Sequence, residues 1–405
     1  MKKMILACAV LAAMTANAQK PLNNKSAVTK AETALNDAKK DPKAINYDKV
    51  AEAEQLIAPC LTEGVAKDMP KTWFIAGNIQ SLYMNKMLAD RAANDGKMDF
   101  GAFFDNQYKI VKYFAECDRL EHTPDAKGKM PKEEYRPIIQ PMAKNCRGNL
   151  RNAGGMLANS DPAKSIEYIN YYIESADYSI FQGLDEVKLA NDSTMGDIYY
   201  YLGTAYKVKG DTASALPALD KALASKQYGK YACGELAQYY QNKGDKANAR
   251  KYIDLGFAQY SELPQFGKWL LAAQHSEGDK DGALQTIEKL KQLYPDDDYA
   301  YLLKGQIYFE QEKFQEAEKA FLEAKDQFPD NANCLVMAAR SAWMYANRNT
   351  SDKEAMNHTI DLFKQVEEAN PEDPSLWGES LYILYNNSNQ LDKAKLYKKY
   401  YNPAK

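Results

Sequence analysis

The chain is 405 residues long, enough for two or three compact domains or one elongated array, and 45% of its residues are hydrophobic. Its 52 Lys and Arg stand against 55 Asp and Glu, so there is no cationic excess to neutralise a phosphate backbone, and nucleic acid is excluded as an expected partner. With 3 His in the whole sequence, histidine-based metal or nucleophile sites are poorly supplied.

The N-terminus has the three parts of a secretory signal: Lys2 and Lys3, an apolar stretch over 4–14, and small residues at Ala16 and Ala18. The expected signal peptide is 1–18, cut after Ala18, so the mature chain is exported and expected in the periplasm. Ile5, Leu6, Ala7 and Cys8 loosely match a lipidation box, but they would leave too short an apolar region, and anchoring through Cys8 is disfavoured. No later segment approaches the ~20 apolar residues that span a bilayer. Beyond the signal, Cys60, Cys117, Cys146, Cys233 and Cys334 are odd in number and widely spaced, which reads as buried small hydrophobes rather than a disulfide scaffold.

The first half, 19–190, reads as irregular helix, with spans over 47–61, 71–91, 100–120, 137–158 and 163–176. Trp73, Ala76 and Gly77 look like the opening of a worn helical repeat, and Ala153 with Ser165 like another. The segment 122–137, with Pro124, Gly128, Pro131 and Pro137, is expected as a long loop, and 185–196 as a second break. Asp95, Gly96 and Asp99 lack the alternating acidic spacing of a calcium loop.

From 197 to 330 the chain aligns with itself at an offset of 34. Ala215, Ala249, Ala283 and Ala317 fall in register, as do Leu219, Ile253, Ile287 and Phe321, and also Leu202, Leu236 and Leu270. Gly210-Asp211, Gly244-Asp245 and Gly278-Asp279 repeat between them. Each unit therefore reads as helix, Gly-Asp turn, helix: glycine closes the first helix and aspartate caps the second. In the first unit Tyr199, Leu202, Gly203 and Tyr206 share one helical face, which must be buried, and the small Gly203 and Ala215 let the two helices approach closely.

The fourth unit is the fullest, with Tyr301, Gly305, Tyr308, Ala317, Phe321, Ala324 and Pro329. These residues resemble the tetratricopeptide repeat signature, in which Trp-x2-Leu-Gly-x2-Tyr is followed by Ala, Phe and Pro at fixed positions. Lys304 departs from it at the leucine, and Pro295 closes the third unit as Pro329 closes the fourth. The chain is similar to exported tetratricopeptide proteins of Bacteroidetes. The resemblance implies an all-α fold, a right-handed superhelical solenoid of antiparallel helix hairpins. Beyond the four regular units, 331–405 reads as two irregular hairpins, 331–347 with 354–369 and 375–386 with 391–401. Lys393, Lys395, Lys398 and Lys399 make the last helix a solvated cap.

Motifs for metalloprotease, serine hydrolase, P-loop and dinucleotide chemistry are missing from the sequence, so no catalytic residue, metal or cofactor is expected. The acidic Asp296, Asp297 and Asp298 read as helix caps. By the family resemblance, the first helix of each hairpin lines an inner groove. Its positions correspond to Tyr200, Thr204 and Lys207; Gln238 and Gln241; Lys268 and His275; and Leu302, Gln306 and Phe309. The Lys and Asn clamp for chaperone tails is not supplied there. The expected function is an exported scaffold or adaptor that binds a protein or peptide segment in this groove, in envelope assembly or secretion. A glycan- or nutrient-binding role and an enzyme sited in the first half remain as alternatives.

Overall fold

The computed structural model describes residues 22–41, 44–124 and 127–401. The expected signal at 1–18, its cut after Ala18 and the Cys8 box lie outside them. Regular structure among the described residues is entirely helical, in keeping with the expected all-α chain of hairpins. Two compact units divide it, Met1–Ala232 and Cys233–Lys405.

The first unit opens with α1 (Lys25–Ala38), a helix outside the spans expected from the sequence. Its buried stripe is Val28, Ala31, Ala34, Leu35 and Ala38, mostly alanine, so its apolar periodicity is faint. It is held by α2 (Tyr47–Ile57) and α3 (Pro70–Ala93). Helix α2 stops short of the expected end at 61, because Pro59 breaks the α-helical ladder and a 3-10 turn, Ala58–Leu61, follows. Helices α3 and α4 (Phe100–Glu121) run for 24 and 22 residues, well beyond the length of a regular repeat helix. They cross at Gly77, where an added Cβ would lie 2.2 Å from the Phe114 ring.

Helix α5 (Arg136–Leu157) packs on α4 and on α6 (Pro162–Glu174). Ala153 and Ser165 are both fully buried at this junction, and the Ser165 hydroxyl donates to the Gly154 carbonyl at 2.7 Å. The break expected over 185–196 is the second half of a longer ordered excursion. It starts at Ser175 and passes through four 3-10 turns, with Ile180, Phe181 and Val187 plugged into the core. Helices α7 (Met195–Val208) and α8 (Thr212–Ala222) form the first regular hairpin, and α7 also packs on α5.

Helix α9 (Gly229–Lys243) crosses the division between the units. The second unit continues through α10 (Lys246–Gln259), α11 (Pro264–Glu277), α12 (Lys280–Leu293), α13 (Asp298–Glu310) and α14 (Phe314–Gln327). It ends with α15 (Ala332–Arg348), α16 (Lys353–Ala369), α17 (Gly378–Asn387) and α18 (Leu391–Tyr397), and consecutive helices pack from α10 onward. Helix α17 begins three residues later than the expected 375, and a 3-10 turn, Lys398–Tyr400, replaces the expected helical end at 401. The four lysines expected on the cap are exposed.

One turn recurs in register. The N–H groups of Asp211, Asp245, Asp279 and Lys313 donate to the carbonyls of Tyr206, Tyr240, Gln274 and Tyr308 at 2.9–3.0 Å, the long bond of a Schellman ending. Gly210, Gly244 and Gly278 occupy its left-handed position with φ of 77°, 71° and 74°. Asp211, Asp245 and Asp279 then cap the next helix by accepting from the N–H groups of Ser214, Asn248 and Gly282. In the fourth unit the same turn is made by Glu312, at φ 58°, and Lys313, which provides no side-chain cap.

Two helix crossings set a large side chain against a glycine. Gly203 faces Leu219 and Gly305 faces Phe321, while at the same register in the third unit Leu271 shares a cluster with Ile287. The largest side chain sits opposite a glycine, which keeps the crossing close and filled. All five cysteines are free and buried, as expected, and burial pushes the Cys146 and Cys233 thiols up to about 12 and about 11.

Candidate functional site

In the second unit, the first helices of successive hairpins lie side by side. A Cβ on Gly234 of α9 would stand 3.9 Å from Phe266 of α11, and His275 Nδ1 of α11 is 3.6 Å from the Glu310 carboxylate of α13. Gln238, Gln241, His275 and Gln306 are exposed on these helices, and the Gln306 amide donates to Glu310 at 3.1 Å. Lys268 is half-buried, 2.7 Å from Asp297, with its ammonium 5.1 Å from the Tyr299 ring centroid. Burial opposes ionisation of Asp297, but the Lys268 bond and the Tyr299 N–H outweigh it, and the carboxyl is held below its usual range. The acidic run at 296–298 thus caps α13 through Asp297, while Asp298 accepts from the Asn331 amide at 2.7 Å.

Leu302 and Phe309 are half-buried and turned toward the hairpin's own core. Leu302 packs beside Phe321, and the Phe309 ring meets Phe314 edge-on at 5.2 Å. In the first unit, Tyr200 is stacked on Tyr228, with centroids 4.7 Å apart and planes 5° off parallel. The neighbouring Tyr201 hydroxyl donates to that of Tyr228 at 3.0 Å. Thr204 places its hydroxyl out of contact with solvent and, among the described residues, without a hydrogen-bond partner, while Lys207 is exposed. Of the ten groove positions, then, Gln238, Gln241, His275, Gln306 and Lys207 are exposed, and the others are partly spent on packing.

Lys304 stands where Leu202, Leu236 and Leu270 are buried in the earlier units. Its stem takes the leucine's place and its ammonium reaches Glu288 at 2.8 Å and Glu323 at 3.5 Å. Lys291 joins the same two carboxylates, so the departure from the repeat pattern is compensated by an ion cluster between neighbouring hairpins.

A second polar centre lies in the first unit and carries no sequence motif. Asp118 is fully buried, and both its oxygens accept from the Arg136 guanidinium, at 2.5 and 2.8 Å, while the Ser179 hydroxyl adds a bond at 2.6 Å. One turn on, Glu121 accepts from the backbone N–H groups of Glu134, Tyr135 and Arg136. His122 and Glu121 lie close enough to Asp118 to suggest three metal ligands. The guanidinium already neutralises this pocket, however, and N–H donors take the carboxylate lone pairs, so the arrangement is a clasp that ties 134–136 to α4. Its partners are 13–61 residues apart in sequence, which is why spacing alone does not reveal it.

A family profile described as tetratricopeptide repeat matches residues 273–332, across α11 to α15. No curated protein matches the chain. Among solved structures the chain is similar to the C-terminal part of a TPR repeat-containing protein from Cytophaga hutchinsonii, at 16% identity and TM-score 0.37, covering 67% of this chain and 97% of that one. It is also similar to a tetratricopeptide repeat protein from Parabacteroides merdae, at 13% identity and TM-score 0.33, over 64% of this chain and 94% of the other. A third likeness is to MamA from Desulfovibrio magneticus RS-1, at 15% identity and TM-score 0.32, covering 42% and 89%. The 34-residue register, the recurring Gly-Asp turn and this profile match agree that the chain contains tetratricopeptide repeats.

Proposed function

We propose that this protein is an exported scaffold whose repeats hold an extended segment of a partner protein along the first-helix face. The observation that supports the reading is the side-by-side alignment of α9, α11 and α13, tied at His275 and Glu310, which lays exposed amide, imidazole and carboxylate groups along one strip. Such groups pair with the free N–H and C=O groups of an extended peptide, and the packed aromatic and aliphatic residues beneath them keep the strip rigid, limiting the entropy lost on binding. Export rests on the N-terminal signal pattern, and a role in envelope assembly or secretion on export.

In-cell photocrosslinking from positions 238 and 306 tests the groove. A discrete protein adduct is expected, and it should be lost in the Gln238→Ala/Gln241→Ala/His275→Ala/Gln306→Ala variant while the helical circular dichroism is kept. Adducts unchanged in that variant would falsify the groove assignment. Mass spectrometry of the protein from an envelope fraction tests export: the reading expects a chain starting at Gln19, and an intact Met1 in the cytoplasmic fraction overturns it.

A further inference from the structure

We infer that the first unit carries a second binding site, separate from the repeat groove, that takes an aromatic side chain of a partner peptide with a carboxylate beside it. Ligand cavities commonly measure about 300–1,000 Å³, and here a cavity of about 610 Å³ opens among α3, α4, α6 and the 3-10 turn at Ser175–Asp177. Trp73, Tyr171 and Tyr178 form its walls, with Ala115 between them. These are the residue types that anchor protein interfaces.

The walls are rigid. The Trp73 indole N–H is bound to the Lys67 carbonyl at 2.7 Å, and its ring lies 5.8 Å from that of Tyr113. Tyr171 meets Tyr108 and Tyr178 edge to face, at 4.8 and 5.9 Å with planes 79° and 83° apart. The Tyr178 hydroxyl is held by Glu174 at 3.0 Å. This array offers ring edges and faces at right angles rather than one open flat platform. An incoming aromatic ring completes such edge-to-face packing, whereas a sugar ring needs a broad exposed face.

The rim sets the charge. Arg119 is bound to Glu116 through two bonds at 2.6 and 2.7 Å, so that pair is self-neutralised. Lys112 is exposed and, among the described residues, has no carboxylate partner; its ammonium rests 5.7 Å from the Tyr108 centroid. A carboxylate next to the aromatic anchor meets this ammonium, and Asp177 across the mouth is left to accept from a backbone N–H of the same peptide.

The test uses the full chain and four fluorescein-labelled peptides, Gly-Ser-Asp-Xaa-Ser-Gly with Xaa as Phe, Trp, Leu or Ala, read by anisotropy up to about 1 mM peptide. Saturable binding of the Phe and Trp peptides is expected, with the Ala peptide weaker by about thirtyfold or more. Lys112→Glu, at an exposed position that leaves the fold intact, should weaken the Phe peptide by about fivefold, and an Asn in place of the peptide's Asp should remove that sensitivity. The groove variant described above should bind the Phe peptide unchanged, which separates this site from the groove. No saturable binding of any peptide, equal binding of the Phe and Ala peptides, or indifference to Lys112→Glu overturns the inference. So does saturable binding of maltohexaose or chitohexaose that the Phe peptide displaces only from wild type and not from Tyr178→Ala.

Discussion

Replacing Gly305 by alanine puts a methyl group 2.6 Å from the nearest Phe321 ring carbon, with two more ring carbons at 2.7 Å. Carbon atoms pack best at about 3.5–4.0 Å, so ring or helix must move by about 1 Å. Phe321 is 2% exposed and has little room to yield, and overpacking of this kind costs about 1–3 kcal/mol. Alanine returns about 1 kcal/mol of helix propensity, leaving a net loss of about 0–2 kcal/mol. The more telling measurement is the cycle with Phe321→Ile, which turns this crossing into the Ala and Ile combination of Ala237 and Ile253. Each single change is expected to destabilise, and the double variant to be more stable than their sum by about 1–2 kcal/mol. Hydrogen exchange of peptides from α13 and α14, alongside urea unfolding of the full chain, reads local and global stability together. Additive effects within about 0.5 kcal/mol would refute the close fit of Gly305 against Phe321.

At the neighbouring turn, Glu312→Gly with Lys313→Asp restores the Gly-Asp pair of the other units. Relief of the positive φ and a new helix cap should raise the melting temperature even though the Arg348 pairing is lost; a lower value contradicts the reading of the turn. Arg136→Ala leaves Asp118 buried without its counter-charge, which should cost about 3–5 kcal/mol and expose 122–135 to trypsin at Lys129 and Lys132, as read by limited proteolysis. Burial opposes ionisation of Asp105, Asp192, Asp297 and Glu323, but hydrogen bonds to their charged forms outweigh it and hold all four below their ordinary values. Their stabilisation is present above the unfolded pKa and lost as pH falls through the folded one. The melting temperature should therefore hold from about pH 7 to 5 and drop below about 4, and Asp192→Asn should soften the drop; a rise on acidification would contradict it.

The regular hairpins are legible in the sequence because each needs the same small residue, large partner and turn at fixed separations. Gly203, Ala215, Gly210 and Asp211 announce a hairpin within fifteen or so residues, and the alanine recurring in three further units and the Gly-Asp pair in two remove ambiguity. Helix α1 escapes because alanine gives little apolar contrast, and its hold depends on Asn24 bonding the chain at Glu63 and Ala66. The clasp at Asp118 and the aromatic cavity escape for a different reason. Arg136, Ser179, Trp73 and Tyr171 are ordinary residues in unrelated stretches, and only the fold brings them together. At the expected groove positions, Leu302 and Phe309 lie on the first helix of their hairpin, but the register cannot weigh that hairpin's demand for apolar filling against display to a ligand.

The fit of Gly203 against Leu219, of Leu271 beside Ile287 and of Gly305 against Phe321 bears on how such an array can be rearranged by recombination. Both members of each pair lie in the same hairpin, on either side of its turn. A crossover at that turn would join a leucine-bearing first helix to a phenylalanine-bearing second one and overfill the junction. A crossover between hairpins, near Pro295 or Pro329, carries each pair across intact. The array is therefore modular in whole hairpins and not in single helices, and duplications or swaps that preserve folding should have their joints at the prolines.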